Sequence, residues 1–219
     1  MGEIRGRYYV IEGTDGAGTT TQAEKLIRDL GRASLVEEPG GTPIGREIRK
    51  ILKDTQLPRD PTTNLDLFTI ARFELVQQVI RPNLDEGVNM VSDRNWFSSW
   101  AYQGFGEGLS LDYIYRKSQD NLGAFMWPDF SVIIDIPVEV SEERIKKDGR
   151  GPDYFESKGK DFFENVRQGY LNFSETYNIP VIDGTQNIDE VHDDIVDLIQ
   201  QSHVKQSPTD IIICKHISY

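Results

Sequence analysis

The stretch Gly13-Thr14-Asp15-Gly16-Ala17-Gly18-Thr19-Thr20 decides the fold. It follows the apolar run Tyr8-Tyr9-Val10-Ile11 and precedes an amphipathic stretch from Gln22 to Leu30. Strand, glycine-rich loop and helix is the order a phosphate-binding loop requires. The glycines let backbone N–H groups turn inward, and the helix N-terminus adds partial positive charge. Thr20 stands at the Ser/Thr position whose hydroxyl serves Mg²⁺. Thr19 stands where that pattern has lysine, so the loop lacks the charge that normally neutralises the β- and γ-phosphates. Lys25 is no substitute, because it lies six residues further on, about 9 Å along a helix.

Outward from the loop, apolar runs and helical patterns alternate. Tyr8–Ile11, Ser34–Val36, Asn89–Ser92, Ser131–Ile136 and Ile179–Ile182 read as strands. They are mostly continuous rather than alternating, as in strands buried on both faces. Between them, helical patterns cover Gln22–Leu30, Gly45–Leu52, Leu65–Ile80, Leu111–Phe125, Ser141–Lys147, Lys160–Tyr177 and Ile188–Gln201. The prediction is an α/β protein of the P-loop NTPase class: a three-layer sandwich with a five-stranded parallel sheet and helices on both faces. Such sheets bind ligands at the carboxyl ends of their strands. The first strand runs into the glycine loop, the second into Glu37-Glu38-Pro39-Gly40-Gly41, and the third into Asp93-Arg94.

Composition narrows the function. A chain of 219 residues with 37% apolar and 27% charged residues suits one soluble domain. No apolar run approaches the ~20 residues that span a bilayer, and Met1 to Arg7 holds no apolar signal region. A lone cysteine, Cys214, excludes an intrachain disulfide and suits a reducing cytoplasm. His192, His203 and His216 lack metal-ligand spacing. A net charge of −12 repels nucleic acid, so an anionic nucleotide needs a local cluster of Arg and Lys. The stretch Ile211-Ile212-Ile213, inside an extension over residues 202–219, reads as an edge strand or a subunit contact.

Three further segments carry a resemblance. Glu38-Pro39-Gly40-Gly41-Thr42-Pro43-Ile44-Gly45 with Ile48-Arg49, Leu67-Phe68-Thr69-Ile70-Ala71-Arg72 ahead of Val79-Ile80-Arg81-Pro82, and Ser92-Asp93-Arg94 with Ser98-Ser99 and Ala101-Tyr102-Gln103-Gly104 resemble the thymidylate kinases, in that family's order. The resemblance runs from about Tyr8 to about Ile199. It implies ATP and dTMP as substrates, Mg²⁺, and a homodimer. It also implies a role for each matching residue. ATP binds along Gly13, Thr14, Asp15, Gly16, Ala17, Gly18, Thr19, Thr20 and Thr21, and Thr20 and Asp93 place Mg²⁺. Phe68 stacks on thymine, while Arg72, Gln103 and Ser99 meet its polar edge. Arg94 and Arg49 hold the monophosphate, where guanidinium forks fit phosphate oxygens. Asp15 accepts from the 3′-hydroxyl, Tyr102 packs on the sugar, and Glu38 orders the site.

The resemblance also implies a lid over residues 144–158, where Gly149, Gly151 and Pro152 interrupt the helical pattern. Members with glycine at the position of Gly16 carry a catalytic arginine in the lid, with Arg150 first and Arg144 second as candidates. This sequence departs from the family at Glu37, where arginine is usual, and at Tyr154, where an Asp-Arg pair is frequent. With Thr19, three cations near phosphates are missing, and Lys146, Lys147 and Lys158 are candidates to compensate. The reading is a dTMP kinase. Two alternatives stand beside it: a kinase of another deoxynucleoside monophosphate, which Phe68, Arg72 and Gln103 oppose, and a catalytically impaired nucleotide binder, which Thr19 favours.

Overall fold

Strand β1 (Tyr8–Gly13) is buried along its whole length, and its alternation explains the layers. Tyr8 and Val10 enter one core cluster, Tyr9 and Ile11 the other. Side chains of a strand point alternately to opposite faces, so an apolar residue at every position demands cover on both sides. The computed structural model describes residues 5–205 apart from 148, 150 and 151. Ile211 to Ile213 and Arg150 lie outside those residues.

The sheet has the order β2-β3-β1-β4-β5, with β2 (Ala33–Glu37), β3 (Asn89–Asp93), β4 (Phe130–Asp135) and β5 (Val181–Asp183) all in parallel pairings. This is the predicted five-stranded parallel sheet. The fifth strand is shorter than its apolar run, since Ile179 lies outside it. Helices α1 (Thr19–Asp29) and α9 (Ile188–Lys205) pack on one face through Ala23, Leu26, Ile195 and Ile199. The other face is covered by α3 (Pro61–Leu75), α5 (Trp96–Ser99) and α8 (Lys160–Tyr177), among others. The connecting helices are α2 (Pro43–Lys53), α4 (Arg81–Asp85), α6 (Leu111–Leu122) and α7 (Val138–Lys147).

Local chemistry sets the helix starts. Helix α2 begins at Pro43 because the Thr42 side chain accepts from Gly45 N, and α3 begins at Pro61 because Asp60 accepts from Thr63 N. Both follow the rule of an oxygen-bearing cap followed by proline. The pattern over Leu65–Ile80 was therefore too short at its N-terminus. At its C-terminus the chain widens into a π-helical segment, Val76–Ile80, just before Pro82, which lacks the N–H an α-helix would use. The stretch after β3 was not predicted as a helix. It forms α5 and then a π-helical segment over Trp100–Gly106.

Helix α8 lies tightly against that π-helical segment. A Cβ at Gly169 would come within 2.7 Å of Ala101 Cα and 3.0 Å of Phe105 Cβ. The approach seats Trp96 and Phe173, both fully buried, in an edge-on aromatic pair with centroids 5.2 Å apart. Gly169→Val therefore overpacks this seam and should lower stability by about 1–3 kcal/mol, read as a reduced midpoint in urea with an unchanged slope.

Candidate active site

Parallel pairing sets Ile11 opposite Asp93 and Val36 opposite Ser92. The chain thus leaves β1, β2 and β3 at one edge of the sheet, and the loops that follow surround a single cavity of about 630 Å³, within the size range of ligand sites. Asp15, Gly16, Ala17, Gly18, Thr19, Thr20 and Thr21 line it. So do Glu38, Arg49, Phe68, Arg72, Asp93, Arg94, Ser99, Tyr102, Gln103 and Arg144. Gly13 and Thr14 do not, because they form the buried floor beneath the loop. Gly13 is packed so closely that a Cβ there would meet Ile134 O at 2.7 Å.

The loop turns on Gly16 and Gly18, both with positive φ (78° and 93°), a region that suits glycine. Thr19 opens α1 and is buried. Thr20 Oγ1 donates to Asp93 Oδ2, while Asp93 Oδ1 is buried without a partner. A hydroxyl beside an orphaned carboxylate oxygen suits a hard cation that keeps several waters, as Mg²⁺ does. Among the described residues no group of three or more His, Cys, Asp or Glu forms a metal cage. Arg144, on α7, reaches the loop from outside and donates to Gly16 O (3.0 Å) and Gly184 O (2.9 Å). Ser141 Oγ donates to Asp15 O (2.6 Å).

Arg94 is held in a left-handed conformation, φ 74°, a costly one for a residue with a side chain. Three contacts impose it: Arg94 N donates to Ile11 O (3.0 Å), Ser92 Oγ to Arg94 O (2.6 Å), and Asn95 N to Glu12 Oε1 (2.7 Å). The guanidinium then meets Asp15 Oδ1 (2.7 Å), Tyr170 OH (3.0 Å) and Tyr102 OH (3.5 Å). Burial works against its charge, but Tyr102, Tyr170, Asp15 and Asp93 outweigh that, so Arg94 stays protonated well above the usual range.

Arg72 is 3% exposed. Its Nε donates to Glu38 Oε2, its Nη1 to Ser99 Oγ (3.3 Å) and its Nη2 to Asn95 O (3.0 Å). Burial raises the Glu38 pKa, and the Arg72 charge opposes the shift. Arg49 donates to Pro39 O (2.6 Å) and pairs with Glu37 (3.2 Å). Phe68 packs on Phe155 with centroids 5.9 Å apart, and Phe155 in turn meets Tyr102 at 5.7 Å. The three lysines that are candidates to compensate for Thr19 each pair with a carboxylate. Lys146 and Lys147 pair with Glu142 and Glu143 along α7 (3.6 and 2.8 Å), and Lys158 pairs with Glu107 (3.3 Å).

The family model described as thymidylate kinase matches residues 11–195. The chain belongs to the thymidylate kinase family. It is 38% identical to a thymidylate kinase of Nitrosomonas europaea, over 90% of this chain and 93% of that one. It is 37% identical to one of Kosmotoga olearia, over 85% and 91%. A crystal structure of thymidylate kinase from Ehrlichia chaffeensis shares the fold, with a TM-score of 0.71, 24% identity, and coverage of 90% of this chain and 99% of that chain.

This thymidylate kinase contains site residues that the sequence reading missed. Glu12 is fully buried beneath the loop, where Ser98 Oγ (2.6 Å), Tyr170 OH (3.0 Å) and Asn95 N all donate to it. A carboxylate ending an otherwise apolar strand was the available signal. Tyr170, from the far end of the chain, and Phe155 carried none. Burial raises the Glu12 pKa to about 7, against the opposing pull of Arg94 and its donors. The folded protein therefore binds a proton there more readily than the unfolded chain, and the stabilisation this gives is complete below the ordinary carboxyl pKa and lost as pH rises through about 7. Wild type should lose up to about 3 kcal/mol relative to Glu12→Gln between pH 4.5 and 8. Urea unfolding of both proteins across that range checks it, and a flat difference overturns it.

Proposed function

We propose that this thymidylate kinase transfers the γ-phosphoryl group of ATP to dTMP, giving ADP and dTDP, through the cleft described above. One observation carries the reading: a single cavity joins the glycine loop to Phe68, Arg72, Arg94 and Gln103. ATP takes the loop side, with its phosphates on the backbone N–H groups of residues 15–21 and Arg144 steadying the loop from α7. The dTMP takes the other side. Phe68 offers an apolar ring face to thymine. Arg72 has five N–H donors and spends three on Glu38, Ser99 and Asn95, which leaves two for a base carbonyl. Gln103 completes the edge, and Tyr102 sits beside the sugar.

The monophosphate competes with Asp15 for Arg94. Phosphate is the better bidentate partner for a guanidinium, so binding frees Asp15 to accept from the 3′-hydroxyl. Arg49, now on Pro39 O and Glu37, is the second phosphate ligand. Mg²⁺ fits at Thr20 and Asp93, where it would neutralise charge on the transferring phosphoryl group. The protein's own contribution is alignment and charge placement, without a covalent intermediate. Residues 144–158 serve as the lid of one kinase domain, and Arg150 belongs to it. The impaired-binder reading is not favoured, since the monophosphate half of the cleft is intact.

We read the enzyme as a cytoplasmic homodimer. Ile44 and Ile51, seven residues apart on one face of α2, and Ile70 and Phe73 of α3 are exposed apolar side chains that a subunit contact would cover.

Turnover tests the reading. Coupled ADP release should show dTMP preferred over dUMP, dCMP, dAMP and dGMP. Tight dTMP binding with no dTDP formed would sink the kinase assignment. Thr19 brings no charge to the loop, and the described arginines of the cleft answer to other partners: Arg49 and Arg94 to the monophosphate, Arg72 to the base, and Arg144 to Gly16 O. Thr19→Lys should raise kcat by about tenfold or more, the scale of one cationic contact to a transferring group. Phe68→Ala should raise the KM for dTMP by about tenfold, in line with loss of a buried aromatic contact, and leave the KM for ATP unchanged.

A further inference from the structure

Behind the base-reading edge runs a chain of polar side chains that the catalytic reading does not use. Arg59, in the turn before α3, donates through Nε to Asn64 Oδ1 (2.6 Å). Asn64, fully buried on α3, donates through Nδ2 to Glu107 Oε1 (2.8 Å). Lys158 Nζ meets the same oxygen at 3.3 Å, and the Glu107 side chain is only 2% exposed. The other oxygen, Glu107 Oε2, accepts from Gln103 Nε2 (3.2 Å). Gln103 lines the cavity and is 1% exposed.

Each link has a forced polarity. A guanidinium only donates, so Asn64 must turn its oxygen to Arg59 and its NH₂ to Glu107. An ionised carboxylate only accepts, so Gln103 must turn its NH₂ to Glu107. A primary amide whose NH₂ is committed offers its oxygen to whatever it meets next. Free glutamine would read a donor or an acceptor with equal ease; this one reads a donor.

We propose that Glu107, held by Asn64 and Lys158, is a positioning residue that sets base specificity by fixing the orientation of the Gln103 amide. The inference rests on the reading of this cleft as the dTMP site. Thymine presents N3–H, a donor, to an acceptor at that edge. Cytosine presents a bare N3 there, and two acceptors face each other. A buried polar group left unpaired in this way costs more than a hydrogen bond gains, which is how a polar site rejects a near-isostere. Lys158 stands at the end of the lid, so the lid in place also holds the reader.

Glu107→Gln tests this. Asn64 and Lys158 still require an oxygen from position 107, so the new amide must turn its NH₂ toward Gln103. Gln103 then flips, and its NH₂ faces the base. The dCMP-to-dTMP ratio of kcat/KM should rise by about tenfold or more, with the KM for ATP unchanged. Glu107→Asp, which keeps an acceptor-only group, should restore most of the wild-type ratio. A folded Glu107→Gln enzyme with an unaltered ratio overturns the proposal. If that variant does not fold, Glu107→Ala decides instead: with no acceptor behind it Gln103 is free to turn either way, so a ratio raised about threefold or more supports the chain of contacts, and an unchanged ratio refutes it. Failure of the underlying site reading looks different, because wild type itself would then show no preference for dTMP over dCMP.

Discussion

The parallel pairing of β1 between β3 and β4 is the constraint on which the site depends. It brings the end of β1 level with the end of β3, so the glycine loop, Asp93 and Arg94 emerge side by side. The left-handed turn at Arg94 is held by a hydrogen bond from Arg94 N to Ile11 O and by one from Asn95 N to Glu12 Oε1, both reaching across to β1. The strand that leads into the glycine loop therefore shapes the turn at Arg94, and packing on both faces of the sheet fixes the register that allows it.

Charge is the second organising term. The cavity wall carries carboxylates from Asp15, Glu37, Glu38, Asp93, Asp153 and Glu156 against cations from Arg49, Lys53, Arg72, Arg94 and Arg144. In a protein of net charge −12, a cleft with more carboxylates than cations is poorly disposed to two phosphorylated ligands. The arginines are held in place by carboxylates or backbone carbonyls. Pairing keeps them oriented, and in the reaction proposed above exchange of a carboxylate for a phosphate would let them bind it.

Much of the fold and half of the site were legible in the sequence, for a common reason. The loop glycines, the apolar strands and Asp93-Arg94 are consecutive residues whose local chemistry states their purpose. The helix after β3 was not legible. Trp96, Phe97, Ser99, Trp100, Ala101, Tyr102 and Gln103 are all buried, so no polar face alternates with an apolar one and no 3.6-residue period appears. Helix α8 was read with its observed bounds, Lys160–Tyr177, because one of its faces meets solvent.

By itself the sequence determined that a parallel α/β sheet carries a phosphate-binding loop lacking its lysine, and that the family is thymidylate kinase, since these follow from neighbouring residues and their spacing. Only the tertiary structure decided what each charge is doing. That Tyr170 touches Arg94 across 76 positions, that Glu12 lies beneath the cleft, and that Glu107 accepts from Gln103 and also from Asn64, 43 positions away, are facts of distance. Hydrogen bonds and ion pairs act over a few ångströms, and chain order does not say which side chains folding brings that close.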